Sequence, residues 1–422
     1  MLRFVFVFSA YVAQGLPIGL FFYAIPAWLA ANDTSALAIG GYISLTSLPW
    51  TLKFVNGFIM DRFTYLPMGK RRAWVISAQT IMLSGLILGA VISPGVADIA
   101  ILAAISFAIN VATTFQDVAI DGLAVDLIPD EERPRANGLM FGGQAVGIAL
   151  GAALSGAAIS SFGLSAAFAL MALLVSVILI LVLVSRERPG ERLLPWTEGA
   201  PSELAKSQKV EAWLPLLKSV WGAMWRRDSF LLSAAAIMSG FAFGLYLAVG
   251  PLIATSVGGW SDTGYSSLVG LASLVAGLCG VFIFGILVDK IGVRFGGVSG
   301  FLGISIVALA MIVLQPQWVQ SWTIIGLVFA FGLLDVYLKV STCSTAMRLC
   351  DVKVAATQFT LYMALANLGM TLAGLITGPL DRLGGMPALL MAMSVAGLIG
   401  AITFYIIRHS QLVTSQLSPI ID

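Results

Sequence analysis

Apolar residues fall in long unbroken blocks, and polar residues collect between them. A block of roughly 20 apolar residues crosses the hydrocarbon of a bilayer as a helix. Such stretches lie at 3–30, 37–60, 73–93, 97–126, 135–158 and 164–186. Others lie at 229–256, 264–288, 296–314, 319–347, 355–380 and 385–408. The pattern predicts twelve transmembrane helices, six on each side of one long polar interval, 187–228. A membrane barrel alternates polar and apolar positions in segments of about ten residues. These blocks are apolar throughout and rich in Leu and Ala, so the expected class is an all-α integral membrane protein. The first block carries Gln14, Gly15 and Pro17 and shows no small-residue cleavage site before a polar sequence. It reads as a retained helix, with Gln14–Pro17 interrupting it and baring backbone groups to a cavity.

Composition narrows the function. Hydrophobic residues make up 59% of the 422 and charged residues 10%, against about 25% charged in soluble proteins. Such a chain does not cover a water-facing surface, which excludes a soluble enzyme, a nucleic-acid binder and a disordered protein. Net charge is +2, too near neutral to indicate a polyanionic partner. Three Cys (Cys279, Cys343, Cys350) and His409 make neither a disulfide framework nor a metal cluster. No G-x-x-x-x-G-K-[ST] phosphate loop occurs, and no catalytic set is arranged in the blocks. Neither a cofactor, a bound metal nor enzymatic activity is expected.

Lys and Arg in short loops set orientation. They gather after the second block (Arg62, Lys70, Arg71, Arg72), the fourth (Arg133, Arg135), the eighth (Lys290, Arg294) and the tenth (Arg348, Lys353). The alternate loops nearly lack them, and Arg382 is the exception. Both termini and the 187–228 interval are therefore expected in the cytoplasm. Within that interval Val210, Trp213, Leu214, Leu217, Val220, Trp221, Met224 and Trp225 recur at helical spacing. They predict an amphipathic helix on the inner membrane surface, or a linker that simply covers the two halves.

The halves repeat each other. After the second block stands Gly57-Phe-Ile-Met-Asp61-Arg62, followed by Gly69-Lys70-Arg71-Arg72. After the eighth stands Gly285-Ile-Leu-Val-Asp289-Lys290, followed by Arg294. Asp117 and Asp121 in the fourth block correspond to Asp335 and Lys339 in the tenth, and Leu154-Ser-Gly156 to Ile376-Thr-Gly378. Two pseudo-symmetric six-helix bundles, 1–186 and 229–422, are expected around the 187–228 linker. This duplicated plan, with its doubled Gly/Asp/Arg loop, resembles the major facilitator superfamily. The Gly residues are expected to allow close helix contact. Asp61, Arg62, Arg71, Asp289 and Arg294 are expected to latch the cytoplasmic side. In such proteins the halves rock about a site near the bilayer midplane.

Charges inside the blocks carry the candidate chemistry. A charge in hydrocarbon costs about 2.5–3.5 kcal/mol on insertion scales, so it pairs or lines water. Lys53 lies eight residues before Asp61, and Asp117 nine before Asp126. A rise of about 1.5 Å per residue puts both at similar depth and predicts a pair. Asp117 and Asp121 share a helix face, and their mutual repulsion suits proton coupling. Asp121 is also read as a member of the gate network with Arg62 or Arg71. Asp335 and Lys339, four apart with the acid first, read equally as an internal structural pair. Gln14, Gln116, Gln144, Tyr337, Gln358, Tyr362 and Asn367 offer hydrogen bonds to a polar solute or between helices. Gly143, Gly147 and Gly151 read as packing.

Several runs resemble the muropeptide permease and acetyl-CoA transporter (AmpG-like) branch of that superfamily. They are Gln14-Gly15-Leu16-Pro17, Lys53-Phe54 ahead of Asp61-Arg62, Gly69-Lys70-Arg71-Arg72-Ala73-Trp74, Gln116-Asp117-Val118-Ala119-Ile120-Asp121, Pro129-Asp130-Glu131-Glu132-Arg133 and Ala356-Thr357-Gln358-Phe359. The resemblance implies a proton-driven, monomeric importer of the bacterial inner membrane, with an anhydro-muropeptide or similar anionic solute as substrate. Lys53 and Lys339 then hold an acidic group, and Asp117, Asp121 and Asp335 serve proton coupling. A ferric-siderophore importer and a proton-antiport exporter are the competing readings. Gly122-Leu123 after the Gln116 run, where the branch carries an aromatic residue, departs from its pattern.

Overall fold

The computed structural model describes residues 2–127, 133–202, 214–350 and 355–408. Among them the chain is helical throughout its membrane blocks. The helices are α1 (Phe4–Ala31), α2 (Ala36–Thr51), α3 (Lys53–Arg62), α4 (Arg72–Ile92), α5 (Ile99–Leu127), α6 (Arg133–Phe162) and α7 (Leu164–Val184). After the polar interval come α8 (Leu214–Met224), α9 (Arg227–Val257), α10 (Asp262–Ile291), α11 (Val293–Val313), α12 (Ser321–Leu349) and α13 (Ala355–Ile406). The second expected span is α2 and α3 together, broken at Leu52. The last two are α13, which turns back at Gly384 and Gly385, whose backbone is non-helical. The twelve-helix architecture results.

Lipid offers the backbone no hydrogen-bond partner, so the described spans keep helical hydrogen bonding, with π-turns at Leu20–Ala24, Ile253–Val257 and Gly280–Phe284. Two places differ from expectation. Gln14–Pro17 does not interrupt the first helix; the chain stays helical through it, and the irregularity is a π-turn at Leu20–Ala24. Gly15 and Gly19 serve contact instead. A Cβ at Gly15 would lie 2.7 Å from the Ile148 nitrogen, and one at Gly19 2.6 Å from the Ile148 carbonyl oxygen. Gly147 and Gly151 meet α1 in return, so α1 and α6 touch backbone to backbone. Leu52, with φ −90° and ψ 0°, interrupts the second span three residues after Pro49.

The halves meet along α2 with α13 and along α6 with α10. A Cβ at Gly40 would lie 2.5 Å from the Gly374 carbonyl oxygen, and one at Gly270 2.9 Å from that of Ala149. The repeated glycines occupy matching places: Gly156 abuts Ser266 at the start of α10, and Gly378 abuts Leu37 at the start of α2. The Ser44 hydroxyl donates to the Thr371 carbonyl at 2.7 Å, and Ser47 and Thr371 share a hydrogen bond of 2.8 Å. Thr263 donates to the Gly156 carbonyl at 3.1 Å. All these contacts lie away from the Lys/Arg-rich loops. The loop-motif glycines near those loops are less crowded. A Cβ at Gly285 would meet nothing within 4 Å, and one at Gly57 nothing nearer than Val118 at 3.9 Å. The close helix contact expected of the loop-motif glycines is therefore absent in this conformation.

One clamp closes the first half on its basic side. The Glu187 carboxylate accepts from the backbone N–H of Lys70 (3.1 Å), Arg71 (2.9 Å) and Arg72 (2.9 Å), at the start of α4. Gly69, at φ +99°, leaves the space that carboxylate fills. Arg72 is 1% exposed, and its guanidinium donates to the carbonyls of Val182 (3.1 Å), Leu183 (2.8 Å) and Leu193 (2.6 Å). An anion thus sits on the N-terminus of α4 and a cation on the C-terminus of α7, the favourable placement for both helix dipoles. Hydrogen bonds to a charged group contribute about 1.5–3 kcal/mol each. Glu187→Gln keeps the shape and removes the charge, so the thermal unfolding midpoint in detergent falls by several degrees. An unchanged midpoint removes the clamp from the stability of the fold.

Candidate functional site

The break at Leu52 builds the centre of the molecule. Pro49 lacks an amide hydrogen, and the turn that follows leaves carbonyls without helical partners. The carbonyl of Trp50 accepts from Asn367 Nδ2 of α13 at 3.1 Å, a bond from the other half. Trp50 Nε1 donates to Asn110 Oδ1 of α5 at 2.8 Å. The first residue past the break is Lys53.

Lys53 Nζ lies 3.0 Å from Asp117 Oδ2, and the two side chains are 13% and 6% exposed. The other carboxylate oxygen, Oδ1, accepts from Gln14 Nε2 at 2.8 Å. The ammonium also stands 5.9 Å from the Trp50 ring centroid. Three helices therefore converge on one carboxylate. One turn along α5, Asp121 Oδ1 accepts from the Tyr11 hydroxyl. Arg71 lies beside this turn, its guanidinium where a Cβ at Gly122 would come within 3.0 Å. Tyr11 is the residue that sequence reasoning missed. Its signal was spacing: Tyr11 and Gln14 are three apart on α1, matching Asp121 and Asp117 four apart on α5.

The second half presents a different arrangement. Lys339 Nζ lies 2.7 Å from Asp335 Oδ2 on the same helix, α12. The lysine side chain is 56% exposed and the aspartate 9%. The ammonium stands 4.7 Å over the Phe243 ring, and Tyr246 stacks on Phe331 with centroids 4.0 Å apart. Each half thus carries one acid–lysine pair, Lys53–Asp117 in the first and Lys339–Asp335 in the second.

Other expected solute contacts lie elsewhere. Gln116 is fully buried and donates to the Ala10 carbonyl at 2.7 Å, tying α5 to α1. Gln358 and Tyr362 are fully buried and bond each other at 2.9 Å, with Ser229 of α9 at 3.4 Å from Gln358. The Tyr337 hydroxyl pairs with Ser299 of α11 at 2.9 Å. Gln116, Gln358 and Tyr337 thus tie helices together, and Tyr362 bonds Gln358 within α13. Gln144 is half-buried on α6, at the level where Gly15 presses against that helix. Of the gate set, the Asp61 and Arg62 side chains lie outside the described residues, as do the Asp126 side chain and the Pro129–Glu132 part of the next run. Asp289 is exposed, and Arg294 stacks 4.2 Å over the Tyr405 ring.

Twelve helices in two halves, closed on one side, with a buried ion pair inside the first half, define a multi-pass membrane carrier. Residues 7–374 match the Major Facilitator Superfamily, and the chain belongs to it. It is a secondary transporter and not an enzyme. The chain is 25% identical over 404 residues to the anhydromuropeptide permease of Escherichia coli strain K12, covering 94% of this chain and 78% of that protein. It is 34% identical over 90 residues to an uncharacterized membrane protein of Saccharomyces cerevisiae, YBR220C, covering 21% of this chain and 16% of that protein.

The pair makes a measurable claim. Removing one member of a buried pair costs about 3–5 kcal/mol, because it leaves a charge unpaired. Lys53→Ala alone and Asp117→Asn alone are expected to lower the unfolding midpoint strongly. The double variant is expected to be milder than the sum, and additive losses would disprove the coupling.

Proposed function

We propose that this transporter is a proton-coupled importer of a medium-sized anionic solute of the anhydro-muropeptide type. In this reading it resides in the bacterial inner membrane as a monomer. Both termini and the 187–228 interval face the cytoplasm, and the present conformation opens inward. The observation that carries the proposal is the Lys53–Asp117–Gln14 constellation at the meeting of the halves. Similarity to the Escherichia coli permease along most of the chain supports the substrate class.

Asp117 holds Lys53 while the carboxylate is charged. Protonation of Asp117 weakens that hold and frees the ammonium for an acidic group on the solute. Lys339, with its exposed head, offers the second cationic contact. Asp121, bonded to Tyr11 one turn nearer the basic side, receives the proton on its way to the cytoplasm. Asp335 answers Lys339 when the solute leaves. Asp61, Arg62, Arg71, Asp289 and Arg294 latch the basic side in the opposite, outward-open state, where Gly57 and Gly285 approach neighbouring helices.

Uptake of labelled GlcNAc-anhydro-muropeptide into cells that express the chain tests this. Accumulation that a protonophore abolishes is the expected result. Asp117→Asn is expected to abolish accumulation while leaving exchange of solute across the membrane. Accumulation unchanged in that variant removes Asp117 from the coupling. No accumulation by folded, membrane-inserted protein overturns the substrate class, and ferric siderophores become the next solutes to test. Protonophore-sensitive efflux instead of uptake makes the protein an exporter.

A further inference from the structure

The helix α8 has two unlike faces. Val220 and Ala223 are buried against Met224 and against Leu361 of α13. The other face turns away from the protein and carries Lys218, Trp221 and Trp225, all exposed. Two tryptophans 67% and 60% exposed are unusual on a water-facing surface and costly there. They do not stand alone. The Trp221 and Trp225 rings meet edge to face at 5.7 Å, and Trp225 stacks on Phe230 at 5.8 Å and 14°. Phe230 belongs to the first turn of the membrane-spanning α9 and is 53% exposed on the outside of that helix. The ladder therefore runs without interruption from α8 onto the outside of α9.

Charge gives the partner. Arg226 and Arg227 are exposed at the join of α8 and α9, and Lys218 lies one turn before Trp221. The acid in this region, Asp228, accepts from the Arg408 backbone N–H at 3.4 Å. Indole rings settle at the headgroup level, and cations near an anionic leaflet gain about 1 kcal/mol each, about fivefold in affinity. A protein partner offers no reason for the ladder to continue into the first turn of the membrane-spanning α9. We propose that the outer face of α8 and the first turn of α9 form a binding surface for anionic phospholipid headgroups. Because α8 packs on Leu361, bound lipid also fixes the basic-side end of α13, the helix that meets α2 at the closed side.

The test uses the full chain reconstituted in phosphatidylcholine vesicles doped with equal fractions of brominated phosphatidylglycerol or brominated phosphatidylcholine. Bromine on the acyl chains quenches nearby indole fluorescence. The chain has 10 Trp, so the spectrum of Trp221→Phe/Trp225→Phe is subtracted from that of the wild type. The difference signal is expected to be quenched by both lipids and more strongly by the anionic one. Lys218→Gln with Arg227→Gln is expected to erase that preference in the wild-type tryptophan background, which also serves if the double Phe variant does not fold. Equal quenching by the two lipids overturns the headgroup assignment. No quenching by either shows that the face does not lie on the bilayer.

Discussion

A carboxylate and an ammonium held together inside a membrane constrain the centre of this transporter. Neither Lys53 nor Asp117 is tolerated there alone, and their attraction offsets the loss of water only if the remaining polar atoms find partners. Gln14 supplies one of those partners from α1. The break at Leu52 supplies the geometry, because it starts a new helix at Lys53. The carbonyl of Trp50, on the other side of that break, is taken by Asn367 of the opposite half. The ion pair, the helix break and the contact between halves are thus one structure. Movement of α13 away from α2 pulls on the turn that positions Lys53.

The rest of the interface is built so that such movement is cheap. Hydrophobic burial does not hold helices together in lipid, where the surroundings are as apolar as the side chains. Close backbone approach and short hydroxyl bonds do that work instead. Gly40, Gly374, Gly378, Gly156 and Gly270 let the halves touch, and Ser44, Ser47, Thr263 and Thr371 bond across. Each such bond is modest, near 0.6 kcal/mol on average for bonds between membrane helices. A zipper of small contacts opens stepwise, whereas one large interlocked surface does not. The Glu187–Arg72 clamp is of the opposite kind. It joins α4 to α7 within one half by charged hydrogen bonds at two helix ends, and so keeps that half rigid while the zipper opens.

What the sequence made legible follows from what lipid demands. Apolar blocks of bilayer length are obligatory, and their ends were readable to within a few residues for α5, α6, α9 and α12. Lys53 and Asp117 were legible because a mid-membrane charge needs an opposite one at its own depth. The hydrogen bonds were not. Gln116, Gln358, Tyr337 and Tyr362 are polar groups in apolar blocks, and each must have a partner. Nothing along the chain says whether that partner is a solute or another part of the protein, and in these four a protein group takes the bond. Glu187 was read only as part of a charged linker, since its partners are backbone groups with no side-chain signature. The break at Leu52 was hidden for the same reason. Pro49 marks a weakened turn, but Asn367, which takes the Trp50 carbonyl, lies in the other half.

The duplicated halves use the same helix for their acids and differ in where the cation comes from. Asp117 on α5 takes its cation from α3, across a gap between helices. Asp335 on α12 takes its cation from four residues along its own helix. That difference divides the labour. A pair within one rigid helix keeps its geometry however the helices move, so Lys339–Asp335 is indifferent to rocking of the halves. Its exposed ammonium also stands over the Phe243 ring. A pair between helices is held or lost as those helices shift, and Lys53 is the first residue after the break at Leu52. The first kind of pair is fixed by its helix, and the second depends on how α3 and α5 sit against each other.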